Sequence, residues 1–167
     1  KVPVENLIGE EGKGFSYILD GMNAERVLVA SESLGDGRWF TEKAVAYANE
    51  REVFGAPIGA NQGIQFPIAR HYASLKAAEL MVRQAAAMFD AGQPCGAEAN
   101  AAKYLAAEAC YTACERAVLT HGGMGYAKEF HVERYLRESF ISRIAPVSRE
   151  MILNYIGQHV LKMPRSF

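Results

Sequence analysis

Apolar residues recur at helical spacing along most of the chain and mark out one helix after another. After a flexible entry at Gly9, Gly12 and Gly14, the first run begins with Phe15, Ile18, Leu19 and Met22. It continues through Val29, Leu34 and Trp39 to Tyr47, which predicts a long helix with an interruption expected near Gly35-Asp36-Gly37. The stretch from Phe54 through Gly55, Pro57 and Gly59 reads as a loop. A second helix is predicted from about Gln62 to Ala91. It tolerates Pro67 in its early turns and carries Ile68, Tyr72, Leu75, Val82 and Phe89 as its stripe. A turn at Gly92–Gly96 leads to a third helix, about Ala97 to Thr120, with Tyr104, Ala107, Tyr111, Cys114 and Val118 on one side. Small residues along it permit close packing. Gly122-Gly123-Met124-Gly125 breaks the pattern. A short helix over Val132–Ser139 and a last one from about Ser148 to Leu161, with Ser148 as N-cap, complete the chain. Only Lys1–Gly9 reads as the end of a strand. The pattern predicts an all-α protein, an antiparallel four-helix bundle with up-down connections.

Composition narrows what such a bundle does. Half of the 167 residues are hydrophobic, enough for the core of one domain, and the net charge of −1 gives no basic surface for nucleic acid or an acidic membrane. No apolar run reaches the roughly 20 residues that span a bilayer, and no signal peptide is visible. Three cysteines, an odd number, fit a reducing compartment, and Cys110 and Cys114, one turn apart, read as small core residues. The chain lacks an initiator Met, so a piece of something longer is expected.

Three stretches could carry chemistry. In Gly21–Ala30, helical spacing turns Met22, Val29 and one flank of Val27 towards a core and sets Glu25 close to that side. A carboxylate there needs a partner or a task, so Glu25 is either half of an ion pair with Arg26 or a catalytic group. The loop from Asn49 to Gln62 offers Arg51, Phe54 and an amide, which could pin a phosphate and a flat ring or could be a solvated helix end. Glycines at 122, 123 and 125 let backbone approach a phosphate, yet they serve equally as a helix cap. Their spacing is not that of a dinucleotide fingerprint. His121 and His131 flank this loop without the carboxylates or thiols that would complete a metal site, so no metal is expected. Ser33 and Ser148 lack a base at motif spacing and read as helix and cap residues.

In order, these pieces resemble the C-terminal half of the acyl-CoA dehydrogenase family. The matching stretches are Val2–Gly9, Glu11–Phe15, Glu25-Arg26, Tyr47-Ala48 with Arg51, Phe54–Ile58, Gln62, His121–Tyr126, Val132–Arg134 and Arg137-Glu138. The resemblance covers essentially the whole chain. It implies residues 1–12 as the exit from a preceding β-domain and 13–167 as the C-terminal bundle, with an N-terminal helical domain and the β-domain outside this chain. It also implies FAD, a homotetramer built as a dimer of dimers, electron-transfer flavoprotein as electron acceptor, and α,β-desaturation of an acyl-CoA. Such an enzyme works in the bacterial cytoplasm, or in the mitochondrial matrix of a eukaryote. By position, Arg51, Phe54 and Gln62 match residues that contact FAD from a neighbouring subunit, and Gly122 and Gly123 match backbone near its ADP portion. Asn23 and Arg26 match positions near the CoA chain, although Asp is common where Asn23 stands.

The sequence departs from the family at one telling place. Many members carry their catalytic base in a Tyr-Glu-Gly-Thr motif, which aligns with Ala145-Pro146-Val147-Ser148, so Pro146 stands where that Glu would be. In the isovaleryl-type and long-chain-type branches the base lies on the earlier helix, immediately before an Arg, where this chain has Glu25-Arg26. The resemblance therefore implies Glu25 as the base, with Ser148 keeping the cofactor contact of the motif's Thr. The rival expectations are an acyl-CoA oxidase, an enoyl-CoA reductase, or a non-catalytic helical oligomerisation module. The isolated chain is expected to be inactive.

Overall fold

The structure, a computed structural model, describes residues 1–166, the side chain of Asp20 excepted. Phe167, the last residue of the expected bundle, lies outside the described residues. Three long helices dominate: α1 (Gly14–Glu50), α2 (Gln62–Asp90) and α3 (Gly96–His121). Between α1 and α2 lies a two-residue hairpin, β1 (Glu52–Val53) against β2 (Ala56–Pro57). After α3 come two 3-10 turns, then α4 (Val132–Ser139), α5 (Ile141–Ile144) and α6 (Arg149–Tyr155), which ends in a wider π-type turn.

Side-chain pairings fix the directions. Arg38 of α1 meets Glu79 of α2, whereas Tyr47 of α1 stacks on His121 of α3, so α1 and α3 run parallel in direct contact and α2 packs antiparallel against both. The return segment descends along α3: Phe130 packs on His121, Phe140 on Tyr111, and Arg143 pairs with Glu108. The fold is thus the expected all-α, up-down bundle, its fourth layer broken into short helices. Helix α3 is its axis. Alanines at 99, 102, 106, 107, 109, 113 and 117, with Cys110 and Cys114, are buried around most of its circumference, which lets neighbouring helices approach closely.

Several details differ from the periodicity reading. Helix α1 is continuous through Gly35-Asp36-Gly37. Gly37 is buried, and a Cβ there would collide with the Leu75 side chain and lie 3.4 Å from the Cys110 Cα. It marks a close three-helix contact and not a break. In α2, Tyr72 and Phe89 are largely exposed, and Ala78 and Ala85 take the core positions beside Leu75 and Val82. Lys1–Gly9 is not a strand; it is exposed throughout and holds only a 3-10 turn at Val4–Asn6. A strand needs a ladder partner, and the described residues supply none there. The hairpin was not anticipated. Its turn residues Phe54 (φ 54°) and Gly55 (φ 79°) both have positive φ, the geometry that joins two strands tightly but is unusual for Phe.

An ion cluster ties α1 to α2. Glu79 accepts from Arg83 at 2.7 Å, from Lys76 at 3.2 Å and from Arg38 at 3.0 Å. Arg83, then Lys76 and Arg38, hold its carboxyl down at about 2. A carboxylate lowered by folding stabilises the native state above its ordinary range near 4.5 and loses that contribution as pH falls towards 2. The three cations are at least half exposed, so solvent weakens the effect. Glu79→Gln is therefore expected to lower the melting temperature modestly at neutral pH. The gap between variant and parent should close as the melts are moved from pH 5 to pH 2, and a gap that does not depend on pH would contradict the ion-pair account.

The core thiols are inert by the same kind of reasoning. Burial pushes Cys114 up to about 12 and Cys110 above the ordinary thiol range. Neither is expected to react with an alkylating reagent at neutral pH until the protein is unfolded, as mass spectrometry would show. Rapid labelling of the native protein would contradict the packing of α3.

Candidate functional site

The residues singled out in the sequence gather at two ends of the bundle. At one end the C-terminus of α1, the hairpin and the end of α3 enclose a groove of about 390 Å³, lined by Tyr47, Arg51, Thr120, His121, Gly122 and Gly123 among others. Arg51 leaves α1 in extended conformation, donates its N–H to the Tyr47 carbonyl at 2.9 Å, and accepts from the Ile58 N–H at 2.8 Å to close the hairpin. Phe54, at the tip, is fully exposed. Gln62 begins α2 after the Gly59 turn, where a Cβ would press on the Ala48 carbonyl.

On the other wall Gly122 ends α3 at φ 58°, donating to the Leu119 carbonyl, and both it and Gly123 expose backbone free of side chain. The helix-cap reading of these glycines is correct as far as it goes, and the groove gives them a second setting. His121 is buried and stacked on Tyr47, with ring centroids 4.3 Å apart. Its Nδ1 lies 2.7 Å from the Ala117 carbonyl, which can only accept, so the proton is on Nδ1. Thr120 was missed in the sequence. Its Oγ1 is buried without a hydrogen-bond partner among the described residues, a polar atom waiting for a ligand or water in the groove. One cation, bare glycine backbone and an orphaned hydroxyl suit a phosphate-bearing ligand.

The opposite end contains Asn23, Glu25 and Arg26. The guanidinium of Arg26 donates to the Asn23 Oδ1 at 3.0 Å, and no ion pair joins it to Glu25. Its Nε is buried and has no hydrogen-bond partner among the described residues. Burial lowers the Arg26 guanidinium from its usual value, while the nearby Tyr155 phenol opposes this. Glu25 is exposed, contrary to its expected place beside the core, and has no salt-bridge partner among the described residues. The reason is that no described side chain between Gly14 and Val29 is fully buried; the bundle covers this part of α1 on one face only, through Val27 and Arg26, and Glu25 lies off that face. Phe15, Ile18 and Leu28 are left largely exposed.

The turn Ala145–Ser148 returns to this same end. Ser148 caps α6 as expected, accepting from the Met151 N–H at 3.3 Å. Lys103 of α3, only 1% exposed, donates to the Val147 carbonyl at 2.9 Å. Burial first, then the Arg26 charge, pushes the Lys103 amine down to about 8. The two ends lie about 27 Å apart along α3 at ~1.5 Å per residue. They do not form one pocket.

A helical bundle with an anion-receptive groove at one end and an uncommitted carboxylate at the other delimits a class, and comparison with known proteins names it. Residues 12–161 match the family model described as acyl-CoA dehydrogenase, C-terminal domain, and the chain belongs to the acyl-CoA dehydrogenase family. It is 40% identical to acyl-CoA dehydrogenase FadE12 of Mycobacterium tuberculosis, covering 100% of this chain and 44% of that protein. It is 43% identical over 138 residues to the caffeyl-CoA reductase–Etf complex subunit CarC of Acetobacterium woodii, covering 83% of this chain and 36% of that one. The fold superposes on butyryl-CoA dehydrogenase from Megasphaera elsdenii with a TM-score of 0.92 at 34% identity, covering 96% of this chain and 42% of the other. The chain thus spans less than half the length of these relatives. Among the described residues no helix is long and apolar enough to cross a membrane.

Proposed function

We propose that this chain is the C-terminal bundle of a longer FAD-dependent acyl-CoA dehydrogenase in which Glu25 removes the α-proton of an acyl-CoA thioester. The observation that carries this reading is that Glu25 is an exposed carboxylate, unpaired among the described residues, at the end of the bundle to which Lys103 ties the Pro146 turn. Two alternative positions for a family base thus face one end of the bundle. Position 146 cannot take a proton, and Glu25 is exposed and unpaired among the described residues. A carboxylate free of an ion pair is available as a base once another domain covers that face and removes water. When bound, the flavin supplies an acceptor at N5 for the hydride that leaves the β-carbon as the α,β double bond forms. Asn23 and Arg26 orient the CoA chain, and the Arg26 Nε, without a partner among the described residues, is a donor for it.

The FAD reading of the groove rests on Thr120 Oγ1, Arg51 and the Gly122–Gly123 backbone, with Phe54 and Gln62 reaching the cofactor from the hairpin side. Ser148 belongs to the Glu25 end. The separation of the two ends supports a homotetramer, a dimer of dimers, in which each bundle serves one site through Glu25 and a neighbour's flavin through Arg51 and the glycines. The exposed apolar residues of 1–12 and early α1 support a preceding β-domain packed there. CarC, by its name, works in a complex with an Etf, which supports electron-transfer flavoprotein as the acceptor.

The test is anaerobic addition of acyl-CoAs of varied length and branching to the intact yellow protein. Bleaching of the visible flavin band by at least one is the expected result, and a colourless or unresponsive protein would overturn the proposal. CarC's name also supports a second reading, an enoyl-CoA reductase, which would be favoured if the reduced protein were reoxidised by enoyl-CoA far faster than acyl-CoA reduces it.

A further inference from the structure

Among the described residues Lys103 is the charged side chain most completely withdrawn from solvent, and nothing in the desaturation scheme above uses it. It stands in a run of alanines on α3, on the helical face shared with Asn100, Ala106 and Cys110, all buried. A buried ammonium is costly to desolvate, and here it has no carboxylate partner within salt-bridge distance among the described residues. Its hydrogen bond goes to the backbone carbonyl of Val147, 44 residues away. A core Met or Leu would fill the same space without that cost, so the amine is there for what it holds.

What it holds is the turn between Pro146 and Ser148. The turn enters from Arg143, whose guanidinium is gripped by Glu108 of α3 at 2.8 and 3.2 Å and lies over the Tyr111 ring at 4.2 Å. It leaves through Arg149, a longer partner of the same Glu108 at 3.4 Å. Glu108 thus fixes the flanks and Lys103 fixes the centre, all from one helix. Between them only Ser148 caps α6.

We propose that Lys103 is a positioning residue for the reaction at Glu25: by fixing the Val147 carbonyl it holds the Pro146–Ser148 turn at the Glu25 end of the bundle, so that this wall of the acyl-CoA site keeps one place. The inference rests on the proposed function, since the site it positions is that of the desaturation. The ammonium touches neither substrate nor cofactor in this role; it acts through the turn.

The experiment compares Lys103→Met, which fills the space but cannot donate, with Lys103→Arg, which keeps a cationic donor, both in the intact flavoprotein. For Lys103→Met, hydrogen–deuterium exchange is expected to rise in the peptide spanning residues 145–152 and stay at the parent level in α2. The kcat for acyl-CoA oxidation is expected to fall roughly 10- to 100-fold, as misplacement of a reacting group by about 1 Å would cause, with KM little changed. Lys103→Arg is expected to recover most of both. A purely structural role would instead raise exchange across the bundle and lower the amount of folded, flavin-bound protein without this kcat-selective loss. Unchanged exchange at 145–152, or parental kcat in Lys103→Met, would overturn the positioning role while leaving the functional reading intact. Failure of the parent protein to bleach with any acyl-CoA would overturn the functional reading, and the positioning role with it.

Discussion

Glu25→Gln in the intact flavoprotein is expected to slow bleaching by acyl-CoA about 10²- to 10⁴-fold, the contribution of a positioned general base, while flavin and acyl-CoA remain bound. The structure makes this a clean substitution. Arg26 is engaged with Asn23 and not with Glu25, so no ion pair is broken. The side chain is exposed in the bundle, so none of the described packing is disturbed. Gln keeps the size and the hydrogen-bonding carbonyl and removes only the basicity, which makes it more informative than Ala. A spectral shift on adding acyl-CoA without bleaching would be the signature of a bound substrate with no base. Bleaching at the parental rate would sink the assignment and leave Glu25 as a surface carboxylate.

Phe40→Ala is expected to destabilise the protein by about 3–5 kcal/mol, the range for emptying a buried phenylalanine site. Phe40 is fully buried and meets Trp39 edge-on at 5.3 Å and Tyr135 of α4 at 6.1 Å. The neighbours cannot easily close the gap. Trp39 also packs on Tyr135 at 4.5 Å, and α1 is anchored nearby at the tight Gly37 contact. Because the same short helix follows Phe130, which packs on Tyr47 and His121, loosening α4 should also weaken the groove wall. The denaturation midpoint and the flavin retained on dialysis are expected to fall together. A loss below about 1 kcal/mol would show that the aromatic cluster repacks around the void.

The long helices were legible because apolar spacing over several turns outweighs any single residue. Where the reading erred, the missing information was tertiary. A glycine inside a helix marks either a break or a close contact, and only Leu75 and Cys110, distant in sequence, decide that Gly37 is the latter. Tyr72 and Phe89 have the right spacing for the core, but the alanine-rich α3 comes so close to α2 that Ala78 and Ala85 fit there and the large rings do not. The hairpin escaped notice because Phe54 adopts a positive φ that residue preference argues against.

The site divides in the same way. The Ser148 cap was readable from local spacing, but the exposure of Glu25 was not, since a helical wheel does not say how much of a helix its neighbours cover. The Asn23–Arg26 bond, three residues apart on one face, was accessible in principle and was overlooked in favour of the adjacent Glu25. Thr120 left no trace in sequence because its interest lies in lacking a partner. Lys103 did leave one: a lone charge on a helical face of alanines and cysteine is a signal that the chain buries it for a reason.

Exchange of the α-proton tests the central claim most directly, because it reports the base without depending on the electron acceptor. An acyl-CoA analogue with sulfur in place of the β-carbon cannot surrender a hydride, so only proton abstraction remains. In deuterated water the intact parent protein is expected to wash the α-protons out of this analogue, and Glu25→Gln, with the analogue still bound, is expected to leave them in place. Equal wash-out by parent and variant would contradict the account and send the search for a base to another residue.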